Sequence, residues 1–163
     1  MTFRLAPMST PILVLTIILL ALPAAFLGLA TLWTPLLLGP GAFILAIYAW
    51  IWLRYRPTAF VVHPRTLEVT WPLKRREIPR GDISAVRAID RQTLRRETGR
   101  GMRVGAGGLF GAFGYLWTTN RGLVRMYISR TDRFVWIECK SDRPSLITPD
   151  QSDAFVRALS GRA

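Results

Sequence analysis

Hydrophobic and polar positions divide this chain into two unlike parts. From Leu5 to Leu53 there are 49 consecutive residues without Asp, Glu, Lys, Arg or His. A hydrocarbon core about 30 Å thick needs about 20 apolar helical residues, so the run holds two spans and is too long for one. The natural division is 10–32 and 35–53, joined by Trp33 and Thr34. A break at Gly39-Pro40-Gly41 would leave a second helix of only about 13 residues, too short to cross. Those three residues are therefore expected as a distortion inside the second helix or in its first turn. Trp33 at one end, and Tyr48, Trp50, Trp52 and Tyr55 at the other, fit aromatic anchors at the two interfaces.

After Pro57 the period changes to two. Thr66 to Trp71 alternates cleanly and puts Leu67, Val69 and Trp71 on one face. Thr58 to His63 precedes it across a Pro64-Arg65 turn. Lys74 to Ile78 and Ile83 to Ala88 are split by Pro79-Arg80-Gly81-Asp82, whose Pro and Gly form turns. Tyr115 to Thr119 and Leu123 to Ser129 flank Asn120-Arg121-Gly122, a tight hairpin signal, and Phe134 to Cys139 alternates again. These seven strands predict a meandering antiparallel sheet. One helix closes the chain, with Thr148 as N-cap, Pro149 at N1, Gln151 completing a T-x-x-Q box and Gly161 as C-cap. Phe155, Val156 and Leu159 form its apolar face.

This order of elements resembles the bacterial pleckstrin-homology-like (PH-like) membrane proteins. The resemblance rests on Phe60-Val61-Val62, Leu67 to Trp71, Glu77-Ile78-Pro79, Asp82 to Val86, the Gly-rich run from Arg103 to Gly114, and the ending Ile147-Thr148-Pro149-Asp150 with Phe155. It covers about Thr58 to Leu159. It implies two near-orthogonal antiparallel sheets capped by a C-terminal helix, and a membrane address. It supplies no catalytic residues and no established ligand. The expected organisation is a transmembrane hairpin at 1–56 and a PH-like domain at 57–163.

Charge gives the hairpin a direction. The chain has 163 residues and a formal charge of +12, from 22 Lys+Arg against 10 Asp+Glu, and every base except Arg4 lies at or after Arg54. The connection between the spans carries no base, whereas Arg4, Arg54, Arg56 and Arg65 flank their outer ends. The positive-inside rule then places both termini and the basic domain in the cytoplasm, and the resemblance implies that the membrane is a bacterial inner membrane. A cleaved signal peptide is the competing reading of the first span. Arg4 would be its only basic residue and no clear A-x-A follows the apolar run, so two spans fit better. The single cysteine, Cys139, suits a reducing compartment.

The segment from Arg91 to Gly114 carries the strongest candidate chemistry. Its first half holds Arg91, Arg95, Arg96, Arg100 and Arg103 against Glu97 alone, and its second half spaces five glycines with Leu109, Phe110 and Phe113. A connection of this length without strand or helix signals points to a functional or mobile loop. The glycines satisfy neither the Walker nor the dinucleotide pattern. Two readings of them stand: a tight, twisted strand or bulge where backbones approach closely, or a membrane-dipping loop that inserts Phe110 and Phe113 while the arginines touch lipid phosphates. The arginine excess itself is either functional or a feature of overall composition.

Catalysis has little to rest on. His63 sits alone beside Pro64 in a turn, Cys139 ends a strand without a CxxC or Cys/His cluster, and Asp150 and Asp153 fall in the first turn of the last helix, where they complement its dipole. The expectation is a non-enzymatic, cofactor-free and metal-free binding module, with nucleic acid disfavoured for want of a recognition motif. Candidate partners are anionic phospholipid, a membrane-complex partner or a second copy of the chain. Candidate contact residues are Arg54, Arg56, Arg91, Arg95, Arg96, Arg100, Arg103, Phe110 and Phe113. The alternative is an assembly subunit of a membrane complex that uses protein contacts only.

Overall fold

The computed structural model describes residues 1–161. The uncharged run forms α1 (Thr10–Leu32) and α2 (Leu38–Arg54), linked through Trp33, Thr34 and a 3-10 turn at Pro35–Leu37. Gly39, Pro40 and Gly41 lie in the first turn of α2, where a proline's missing N–H costs nothing. The helices are antiparallel. Gly41 lies so close to Phe26 and Leu27 that a Cβ there would come within 3.0 Å of Leu27, and Tyr48 donates to the Leu19 carbonyl at 3.0 Å. Both are long and apolar enough to cross a membrane, and large apolar side chains such as Ile17, Ile18, Leu36 and Phe43 are exposed on them.

The rest of the described chain is mainly β, in two sheets. The first has the order β1-β2-β3-β4, built from Thr2–Arg4, Ala59–Val62, Thr66–Thr70 and Arg75–Pro79. The second contains β5 (Ile83–Ile89), β6 (Gly101–Gly107), β7 (Ala112–Thr118), β8 (Gly122–Ile128), β9 (Phe134–Cys139) and β10 (Ser145–Ile147), in the order β5-β9-β10-β8-β7-β6. Two further helices are α3 (Arg91–Thr98) and α4 (Ser152–Ser160). Leu67, Val69 and Trp71 are buried on one face of β3, as their alternation requires.

Three strands go beyond the seven expected. β1 precedes the first span and pairs with β2, which follows the second. It brings Phe3 into the core, with its ring 5.3 Å from that of Phe155. β6 and β10 are the other two, and β10 pairs in parallel with β8, so the second sheet is not a simple meander. The last helix also starts later than its capping box suggested. Leu5 bridges Pro149, and Asp150 N–H donates to the Arg4 carbonyl at 2.9 Å, holding this stretch extended beside β1. The buried Thr148 hydroxyl accepts from Ser129 N–H at 2.9 Å instead of capping a helix, and the N-cap position falls to Gln151. Gly161 does end α4, at φ 72°.

The main core lies between the two sheets and α4, around Phe60, Leu67, Val135, Ile137 and Phe155. Strand alternation sends Val124, Met126, Trp136 and Leu146 to the opposite face of the second sheet. There they form a smaller cluster against which Leu94 of α3 and Leu116 pack.

Candidate functional site

The segment expected to be a loop is a helix followed by a strand. Asp90 caps α3 by accepting from Thr93 N–H at 2.7 Å, and Gly99 stops it at φ 70°. Between them the residues are mostly good helix formers. Leu94 and the buried Thr98, four positions apart, face the second sheet. Arg87 of β5 grips Glu97 with both guanidinium nitrogens, and Arg121 lies 3.6 Å from the same carboxylate. The Arg87 hydrogen bonds hold Glu97 below the usual carboxylate range. Glu97, the one acid of the arginine run, is thereby occupied by arginines outside it. Among the described residues none of Arg91, Arg95, Arg96, Arg100 and Arg103 has a carboxylate within 4.0 Å.

Four of those five come together. Arg91, Arg95, Arg100 and Arg103 rim a cleft of about 610 Å³ between α3 and the second sheet, with Leu116, Met126, Ile128, Phe134 and Leu146 along it. No Asp or Glu lines it. Arg96 is exposed but points away from this cleft. Arg54 and Arg56 belong elsewhere: their guanidinium carbons lie 5.5 Å from the Trp50 ring and 4.2 Å from the Trp52 ring. Burial lowers the Arg56 pKa.

The glycine-rich stretch is the tightly twisted hairpin of β6 and β7. Gly105 and Gly114 face each other at φ 134° and 124°, and a Cβ on either would lie about 2.5 Å from a carbonyl oxygen across the pair. Only glycine fits there. Phe113, which the membrane-dipping reading would insert into lipid, is buried in the main core at 1% exposure, because the strand turns it toward the first sheet. Phe110 is likewise not free. At φ 61° it donates its N–H to Thr16 of α1 at 3.0 Å, and its ring meets Trp52 edge-on at 4.6 Å. The Thr16 hydroxyl also lies 3.2 Å from the Gly108 carbonyl.

The hairpin tip thus packs against both long helices, alongside two other ties. Ser9 N–H donates to the Ser129 carbonyl at 3.1 Å, and the Trp71 indole donates to the Tyr55 carbonyl at 3.0 Å. The sequence reading missed Thr16 as a docking point and the cleft's apolar floor. A hydroxyl inside an apolar helix and a lone Leu94 within the arginine run were the available signals.

No curated protein and no solved structure matches the chain significantly. The family description "Bacterial PH domain" matches residues 58–163, covering β2 through the described end of α4 and omitting β1. With two sheets, a C-terminal helix packed against both and a match over most of its length, the chain belongs to the bacterial PH domain family.

Proposed function

We propose that this protein is a membrane-anchored binding module, in which α1 and α2 cross the bacterial inner membrane and hold the PH domain against its cytoplasmic face. There the arginines of α3 and β6 engage anionic lipid headgroups. The observation that carries this reading is the convergence of Arg91, Arg95, Arg100 and Arg103 on one cleft without an acid among its lining residues. Near an anionic leaflet each base contributes up to about 1 kcal/mol, so four facing it act together. Both ends of the helical hairpin adjoin the same sheet through β1 and β2, which supports termini on one side and a retained first helix. Among the described residues no group of three or more His, Cys, Asp or Glu side chains is placed to hold a metal.

The test is amide hydrogen exchange of the full chain in nanodiscs of phosphatidylcholine, with and without phosphatidylglycerol. The reading predicts that residues 91–103 gain protection with the anionic lipid and lose it as salt rises. Equal exchange in both discs would defeat it.

A second reading, an assembly subunit, is favoured by a different feature. β6 is an edge strand, and Met102, Val104 and Trp117 are exposed beside one another on the face away from the cleft. An open edge with apolar neighbours accepts an added strand. A defined partner that co-purifies regardless of lipid, and that charge substitutions at Met102 and Val104 release, would support this reading over the first.

A further inference from the structure

We infer that the cleft beneath α3 holds a single anionic membrane lipid, its phosphate on the arginine rim and one acyl chain on the apolar floor. This rests on the membrane-anchored reading above and goes beyond headgroup contact at a surface. An arginine patch that only touches a bilayer needs no cavity behind it. Here the four guanidinium groups surround a recess whose floor is the side chains of Met126, Ile128, Phe134 and Leu146, flanked by Leu94 and Leu116.

A hydrophilic phosphorylated metabolite would satisfy the rim and leave that floor without partners. A neutral apolar molecule would satisfy the floor and leave four cations unmatched. An amphiphile with an acidic head satisfies both, and about 610 Å³ lies within the range of small-molecule sites.

The contrast with the other large cleft sharpens the charge argument. That recess, of about 770 Å³, lies between the start of α4 and the end of β5. It is lined by Asp90, Asp132, Asp150 and Asp153 with only Arg133 and Arg157 to offset them. One end of the domain repels an anionic head, and the α3 cleft attracts it.

Placement supplies the source. Ile128 and Thr131, at one end of the α3 cleft, flank Ser129, whose carbonyl accepts from Ser9 at the threshold of α1. The opposite end is at Arg100 and Gly101, where β6 begins. The cleft therefore runs from the junction with the helical hairpin up the sheet. A chain leaving the bilayer beside α1 meets the apolar end directly, and its phosphate reaches Arg91 at the same end or Arg103 on the strand.

The experiment uses the full chain in phosphatidylcholine nanodiscs containing a small fraction of phosphatidic acid with a diazirine at the end of one acyl chain. Photolysis followed by peptide mapping reads where the chain end lies. The inference predicts adducts on Leu94, Leu116, Met126 or Ile128 in addition to α1 and α2. It predicts at least about a tenfold drop in the cleft adducts in the Arg95→Gln/Arg100→Gln/Arg103→Gln variant. Phosphatidylcholine carrying the same diazirine should label α1 and α2 only. Leu116→Trp, which fills the cleft and keeps the arginines, should also suppress cleft adducts while preserving lipid-dependent protection of residues 91–103. Adducts confined to α1 and α2, with that protection intact, would overturn the cleft and leave surface binding standing. Loss of the protection as well would overturn both.

Discussion

The second sheet treats its arginines differently on its two faces. On the face toward the first sheet, Arg125, joined by Arg76 from β4, closes on Asp142 at 2.6 Å, and the Arg125 hydrogen bond holds the Asp142 carboxyl below its ordinary range. The first sheet and α4 cover that face except at its β6–β7 edge, where Met102, Val104 and Trp117 are exposed. On the opposite face only α3 lies across the sheet; Arg87 and Arg121 there pair with acids, whereas among the described residues Arg91, Arg95, Arg100 and Arg103 at the cleft have none within 4.0 Å. Glu97, the one acid of the arginine run, fastens α3 to β5. Charge on the covered face is internal to the fold. Charge on the rim of the α3 cleft is left for something outside the fold, and an arginine count taken from the sequence mixes the two kinds.

The largest test of this contrast falls on the covered face. Phe155 has no exposed surface and touches the Phe3 and Phe60 rings edge-on at 5.3 and 6.1 Å. Phe155→Ala should cost about 3–5 kcal/mol in denaturant unfolding of the full chain in neutral detergent. A loss below about 1 kcal/mol would mean that the two sheets do not depend on α4 for their packing.

A smaller effect comes from the clamp on the open face. Glu97 has its folded pKa depressed by Arg87, so its contribution is present above the ordinary carboxylate pKa and fades as pH falls. Stability of the wild type should decline between about pH 5 and pH 3 by more than that of Glu97→Gln. The difference should stay within about 1 kcal/mol, because the pair is partly exposed. Identical pH profiles would remove Glu97 as the anchor of α3.

What was legible in the sequence follows the same division. Clean alternation in β3, the bulky apolar run of β9, the Asn120-Arg121-Gly122 turn and the long uncharged run each announce an element through local pattern. β1 has only three residues, and its partner lies beyond both long helices, so no local pattern could reveal it. β10 is equally short and buried along its whole length, which erases alternation. β6 reads Gly-Met-Arg-Val-Gly-Ala-Gly, a poor strand by propensity, and it is held by the close approach of Gly105 to Gly114. α3 turns one leucine and one threonine inward, too little for an apolar stripe, and Asp90 and Gly99 were its only punctuation. Of the candidate contacts, four arginines share one cleft. Arg96 lies outside it, Arg54 and Arg56 stack on tryptophans, Phe110 docks on Trp52 and Phe113 is core. Only the fold could sort the arginines and phenylalanines that the sequence presents as one run from Arg91 to Gly114, apart from the juxtamembrane Arg54 and Arg56.

The most direct measurement compares unfolding of the wild type and the Arg91→Gln/Arg95→Gln/Arg100→Gln/Arg103→Gln variant in neutral and in anionic nanodiscs. In neutral discs the two proteins should agree to within about 0.5 kcal/mol for each position changed, since these arginines hold no partner in the fold. Anionic lipid should then stabilise the wild type and leave the variant unmoved, because a ligand stabilises only the state that binds it. A variant strongly destabilised in neutral discs, or stabilised by anionic lipid as much as the wild type, would contradict the account.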